Sequence, residues 1–265
     1  MLRYLNLLSI DVAAGAAIGA AFFARILHVQ LFPQAYAVLG LTVWIIYTAD
    51  HLLDAYFLDK PASTARHRLH QKHFRLLAWI LVLAVVADII LVLFIRRQLM
   101  VPGFIMAIMC AAYLVLNRWL RYVKEVVGTL LYSAGVLLPA LSLNDDITFD
   151  QRLLITEFVL TVFINMLLFA RMSYETDVRD QQQSLITTIG PGAGNWLIAA
   201  CFLFLAVVMT LPGPEILPVT RIVMAAMALT LLVIFLFPAY FRSGERYRLV
   251  GDSVFLLPGI LLLAL

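Results

Sequence analysis

The chain runs to 265 residues, 63% of them hydrophobic and only 13% charged, with a mean hydropathy of +0.97 and a formal net charge of +3. A soluble domain carries about 25% charged residues, so the composition excludes a soluble globular enzyme and describes a polytopic, all-α membrane helix bundle. The small positive balance forms no basic patch interleaved with aromatics, which argues against a nucleic-acid-binding module.

A membrane-crossing helix needs about 20 mostly apolar residues. Punctuation by Pro, Gly and charge divides the chain into nine such runs, at 5–27, 33–58, 74–95, 99–117, 122–143, 152–176, 193–211, 219–241 and 249–265. Almost nothing is left over, so 1–265 reads as a single transmembrane domain. The first run lacks a short apolar core with a small-residue cleavage site and is expected to stay as a helix. It carries Gly15-Ala-Ala-Ile-Gly19, a GxxxG that marks close helix packing, either within one chain or between copies in a homo-oligomer. Asp11 in the first run and Asp88 in the third are costly in hydrocarbon and are functional candidates, with Arg25 available as an ion-pair partner for Asp88. Cys110 and Cys201 sit in apolar runs as reduced thiols, without disulfide or zinc spacing. Fourteen of the 19 Lys and Arg residues fall on the same side as the N-terminus, a positive-inside bias that places that side in the cytoplasm.

The second run ends in Tyr47-Thr-Ala-Asp50-His-Leu-Leu-Asp54-Ala-Tyr-Phe-Leu-Asp59-Lys60. Asp50 and Asp54 are four apart and stack on one helical face near its C-terminus. The helix dipole already makes that end negative, so two carboxylates there call for a cation, and a divalent metal is the candidate. The loop that follows gathers Arg66, Arg68, Lys72 and Arg75 with His67, His70 and His73. Guanidinium forks of this kind suit phosphate groups, while a lipid-facing basic loop is the plainer alternative. The three histidines lack a defined ligand spacing and are assigned general polar roles. Farther on, Arg118 and Lys124 bring more cationic side chains to the same side, and Lys124 shares a face with Gly128.

The sixth run closes on Arg171-Met-Ser-Tyr174-Glu175-Thr-Asp177-Val-Arg179-Asp180. Asp177 and Asp180 are three apart on one helical face, and Glu175 has i,i+4 partners in Arg171 and Arg179. Two carboxylate pairs facing each other across a bundle make an oxygen-rich cage suited to Mg²⁺, which binds one or two carboxylates together with substrate phosphates. Gly190-Pro-Gly-Ala-Gly194 is a turn into the seventh helix, and Asp252 is expected to cap the start of the ninth.

These residues resemble the UbiA superfamily of intramembrane prenyltransferases, whose members have nine helices and two aspartate-rich cytoplasmic motifs. Asp50 and Asp54 match the two aspartates of the first motif, Asn-x-x-x-Asp-x-x-x-Asp, with Ile46 in place of its asparagine. In the second motif, Asp-x-x-x-Asp-x-x-x-Gly-x-x-Ser/Thr, Asp180 matches the second aspartate and Thr187 the hydroxyl, while Thr176 and Ser184 replace the first aspartate and the glycine and Asp177 is adjacent. The resemblance implies a Mg²⁺-dependent enzyme of a bacterial cytoplasmic membrane, acting from the cytoplasmic side. Its metal ligands would be Asp50, Asp54, Asp177 and Asp180, with Asp50, Asp54 and Asp180 catalytic. Arg66, Arg68, Arg118, Lys124 and Tyr174 would bind a prenyl diphosphate, and the partners would be that diphosphate, a lipophilic acceptor and membrane lipids. Transfer to an aromatic or other lipophilic acceptor is the first expectation. Cyclisation of the same diphosphate, and a catalytically silent scaffold, lipid-binding or transport protein, are the alternatives.

Overall fold

Ser9 divides the first apolar run: its backbone sits in the left-handed region at φ 55°, so the chain forms a short helix α1 (Leu2–Leu7), turns, and restarts as α2 (Ile10–Ile26). The carbonyl freed at Leu8 accepts from Trp44 Nε1 at 2.9 Å. Asp11, expected to be stranded in hydrocarbon, lies in the first turn of α2, where the helix end is positive, and accepts from Asn6 Nδ2 at 2.7 Å. It therefore serves the break between the two helices.

This computed structural model describes residues 2–57, 62, 64–116, 119–120, 122–144, 146–211, 213 and 216–264. Among them every regular element is helical. After α2 come α3 (Pro33–Phe57), α4 (Ala65–Lys72), α5 (Phe74–Val92), α6 (Arg97–Leu116), α7 (Lys124–Leu141), α8 (Phe149–Met172), α9 (Tyr174–Arg179), α10 (Leu185–Thr210), α11 (Pro218–Leu236), α12 (Pro238–Arg242), α13 (Arg246–Ser253) and α14 (Pro258–Ala264). Seven of these, α3, α5, α6, α7, α8, α10 and α11, are long and apolar enough to cross a membrane, and they correspond to the second through eighth expected runs.

The ninth run, like the first, is interrupted. It is assembled from α13, a 3-10 turn at Val254–Leu256 and α14, which Pro258 opens. Asp252 accordingly lies in the last turn of α13 and does not cap a helix start. The eighth run stops at Leu236 because Pro238 cannot continue the helix and begins α12 instead. The seventh begins earlier than the expected turn. Ser184 and Thr187 form a reciprocal capping box at its N-terminus, and Gly190, at φ 86°, kinks it before Pro191.

The core sits where α2, α7, α8 and α11 meet the 3-10 turn. Phe23 and Phe158 stack edge to face at 5.0 Å, and Phe255 closes on Phe158 at 6.1 Å and Tyr132 at 5.5 Å. Both glycines of the GxxxG are used here. A Cβ on Gly15 would meet Phe255 Cβ at 2.9 Å, and one on Gly19 would meet Val136 Cγ1 at 2.9 Å. The motif thus serves close packing inside the chain. Outside the core, α5 and α6 turn Trp79, Leu83, Ile90, Ile108 and Met109 outward, with Leu77 the buried residue of α5 and Leu99 and Cys110 those of α6. An apolar outer face of this kind is stable against lipid.

Candidate active site at the acidic end of a helix-lined cavity

The C-terminal end of α3, the N-terminal end of α7 and the junction after α8 lie around one cavity of about 950 Å³. Asp50 and Asp54, one turn apart on α3, both line it and are half-buried. Lys124, the first residue of α7, lines it too, in the electrostatic field of Asp50 and Asp54. Arg66 and His67 enter from α4, Asp177 from α9, and Arg248 and Asp252 from α13. Away from this polar end the walls are apolar and include Val43 and Ile46 of α3, Ile89 of α5, Phe104 of α6 and Leu131 of α7.

Asp177 is positioned by a break in the chain. α8 stops at Met172, and Ser173 starts α9 while its hydroxyl donates to Asp177 Oδ2 at 2.7 Å. Burial pushes the Asp177 carboxyl up to about 6, against the Ser173 hydrogen bond and the Arg248 and Lys124 charges, which act the other way. The expected shared face of Asp177 and Asp180 does not carry both to the cavity. α9 ends at Arg179 and Gln181 turns left-handed at φ 54°, so Asp180 caps the helix and is not among the lining residues. Tyr174 packs against the core and Arg68 donates from an exposed position to the Ala62 carbonyl at 3.1 Å, so neither lines the cavity. Arg118 lies outside the described residues.

Arg66 is 3% exposed, and its Nη2 donates to Asp252 Oδ2 at 3.0 Å and to the Asn6 carbonyl at 2.9 Å. Asn6 Nδ2 donates in turn to Asp252 Oδ2 at 2.7 Å. A clamp of three elements therefore frames one wall of the cavity. Glu125 closes another by accepting from the Leu185 backbone N–H at 3.0 Å, at the start of α10.

Several lining residues were not picked out from sequence. Arg248, half-buried over the Phe169 and Tyr247 rings at 5.8 and 5.4 Å, comes from the last tenth of the chain and has no local motif. His51 stands between the two motif aspartates and is 7% exposed, and His67 approaches Asp54, Nε2 to Oδ2, at 3.5 Å. Burial, reinforced by the Arg248 charge and opposed by Asp50, pushes His67 down to about 4, so its imidazole is neutral at physiological pH. Asp88 also lines the cavity, at its apolar end. It is held by the Thr42 hydroxyl at 2.7 Å and not by Arg25, which is exposed on α2.

The fold and this site define an all-helical integral membrane protein with a mixed acid and cation cluster at one end of an apolar cavity. By sequence, neither a family model nor a curated protein matches the chain. By structure, it has the fold of UbiA homologs. It superposes on a UbiA homolog from Archaeoglobus fulgidus bound to GPP and Mg²⁺ with a TM-score of 0.63 and 11% identity, over 96% of this chain and 99% of that one. On the structure of a UbiA homolog from the same organism bound to DMAPP and Mg²⁺ the TM-score is 0.60 and the identity 9%, over 99% of each chain.

Proposed function

We propose that this protein is a Mg²⁺-dependent intramembrane prenyltransferase that moves a prenyl chain from its diphosphate to an aromatic or other lipophilic acceptor. The observation that carries this reading is the division of one cavity into a charged end and an apolar remainder, which matches a substrate with an anionic head and a hydrocarbon tail. The solved UbiA homologs, which hold a prenyl diphosphate with Mg²⁺, support it.

The donor set suits the ion. Asp50, Asp54 and Asp177 offer hard carboxylate oxygens on one cavity, and Asp177 is a carboxylate whose burial calls for a cation beyond those already near it. When bound there, Mg²⁺ would neutralise the diphosphate and make it a better leaving group. Lys124, Arg66 and Arg248 lie on the same cavity to pair with the departing pyrophosphate as charge develops on it. Ile46, Val43, Leu131 and Phe104 keep water away from the allylic carbon while the acceptor attacks. The bias of Lys and Arg along the sequence supports nine crossings of a single domain, 1–265, with the N-terminus and the charged end on the cytoplasmic side.

The test incubates purified protein and Mg²⁺ with prenyl diphosphates of increasing length and follows pyrophosphate, with and without aromatic acceptors. Acceptor-dependent release that is abolished by Asp54→Ala is expected. Release without an acceptor, together with a cyclic hydrocarbon, would replace transfer by cyclisation. No release from any substrate would replace the enzyme by a silent scaffold.

A further inference from the structure

His51 is only 7% exposed, and among the described residues neither of its ring nitrogens has a hydrogen-bond partner. A neutral imidazole carries one donor and one acceptor, and leaving such groups unmade in a buried place is costly, so the position needs a reason. Aromatic packing alone does not supply one. His51 lies edge-on to His67 at 5.5 Å, His70 at 5.1 Å and Tyr47 at 6.3 Å, contacts that an apolar ring would make equally well.

We infer that His51, His67 and Asp54 form a binding site for a divalent transition-metal ion of the zinc class. One ligand atom from each of the three lies within 4.8 Å of the other two. Asp54 Oδ2 and His67 Nε2 are 3.5 Å apart, long for a direct hydrogen bond. Two ligands at about 2.1 Å from one tetrahedral ion would stand about 3.4 Å apart, which is the separation seen. The chain arranges this by folding α4 back against α3, so that the basic loop delivers a histidine to the motif helix. Two imidazoles and one carboxylate leave coordination positions open toward the cavity, the arrangement of His₂-carboxylate zinc and non-haem iron sites. Nitrogen donors select against Mg²⁺, which prefers oxygen. The surrounding charge permits a cation: Asp50, Asp54, Glu125, Asp177 and Asp252 line this end of the cavity against Arg66, Lys124 and Arg248. Asp54 has two carboxylate oxygens, so it can serve this ion and the Mg²⁺ of the proposed prenyl transfer together, and binding here needs neither a substrate nor turnover.

The experiment strips the full-length protein in detergent with a chelator, adds excess Mg²⁺, and titrates Co²⁺ while recording visible absorption, with Zn²⁺ as competitor. One equivalent of Co²⁺ should bind with ligand-field bands, resist Mg²⁺ and leave on addition of Zn²⁺. His51→Ala should weaken binding by at least about tenfold, since loss of an outer-shell partner alone costs 10–100-fold. His67→Cys should keep the metal and add a near-ultraviolet sulfur-to-cobalt band that the parent lacks. The absence of a saturable Co²⁺ spectrum would overturn the site, as would displacement by Mg²⁺. Equal affinity in His51→Ala, or a His67→Cys protein that binds Co²⁺ without the new band, would overturn the ligand assignment. Pyrophosphate release plays no part in any of these readouts, so failure of this metal site and failure of prenyl transfer are told apart.

Discussion

Asp177 and Asp180 are one helical turn apart in sequence and differ in what they face. Asp177 is tied to Ser173 and lines the cavity, whereas Asp180 caps a helix that ends just before it. Under the prenyl-transfer reading Asp177 is one of three carboxylates that would hold Mg²⁺, and at other metal sites loss of even an outer-shell partner costs about 10–100-fold in metal affinity or activity. Asp177→Asn should therefore lose that much pyrophosphate release under the prenyl-transfer reading, while Asp180→Asn should stay near the parent. Equal losses would place Asp180 back in the mechanism. At this scale the first motif was legible because four-residue spacing on a helix forces Asp50 and Asp54 together. The second was only half legible, because spacing does not reveal that α9 stops at Arg179. His51 and His67 were not legible as a pair. They meet through the packing of α4 on α3, which no local spacing encodes.

At the scale of elements, the least visible feature was the clamp through Arg66. Hydropathy sums apolar residues over a window and registers the first and ninth runs as spans, but it is blind to a left-handed Ser9 or to a 3-10 turn before Pro258. Each break exposes polar groups, and the structure satisfies them mutually: Asn6 of α1, Arg66 of α4 and Asp252 of α13 share hydrogen bonds at 2.7 to 3.0 Å. The side chains of Arg66 and Asp252 are 4% and 7% exposed, so the pair is fully desolvated. Such a pair adds little over an apolar replacement, but removing one member strands the other. Arg66→Met should lower stability by about 3–5 kcal/mol, seen as a lower thermal midpoint in detergent. Arg66→Met combined with Asp252→Asn should recover part of that loss, because the buried carboxylate no longer needs a counter-charge. If the double variant is no more stable than the single one, the clamp is not the reason Arg66 is buried.

Over the whole molecule, the seven long helices were legible as apolar runs, and their arrangement as a UbiA fold was anticipated by resemblance at about a dozen positions; the shape of the cavity was not, because it is what remains between helices after packing. That shape makes a claim about substrate length. Gly135 of α7 and Gly103 of α6 both line the cavity, and a Cβ placed on either would meet nothing among the described residues within 4 Å. Close packing does not explain these glycines as it explains Gly15 and Gly19, since the space in front of them is open. A large side chain at Gly135 would extend into the region where the prenyl tail is proposed to lie, leaving Asp50, Asp54 and Asp177 untouched. Gly135→Phe should therefore shorten the longest prenyl diphosphate turned over while short substrates react at close to the parent rate. The comparison is made as pyrophosphate release across a series of chain lengths, with thermal stability measured in parallel. A uniform loss at every length in a protein of unchanged stability would mean that the tail does not lie along α7 and that the apolar cavity serves something other than the donor chain.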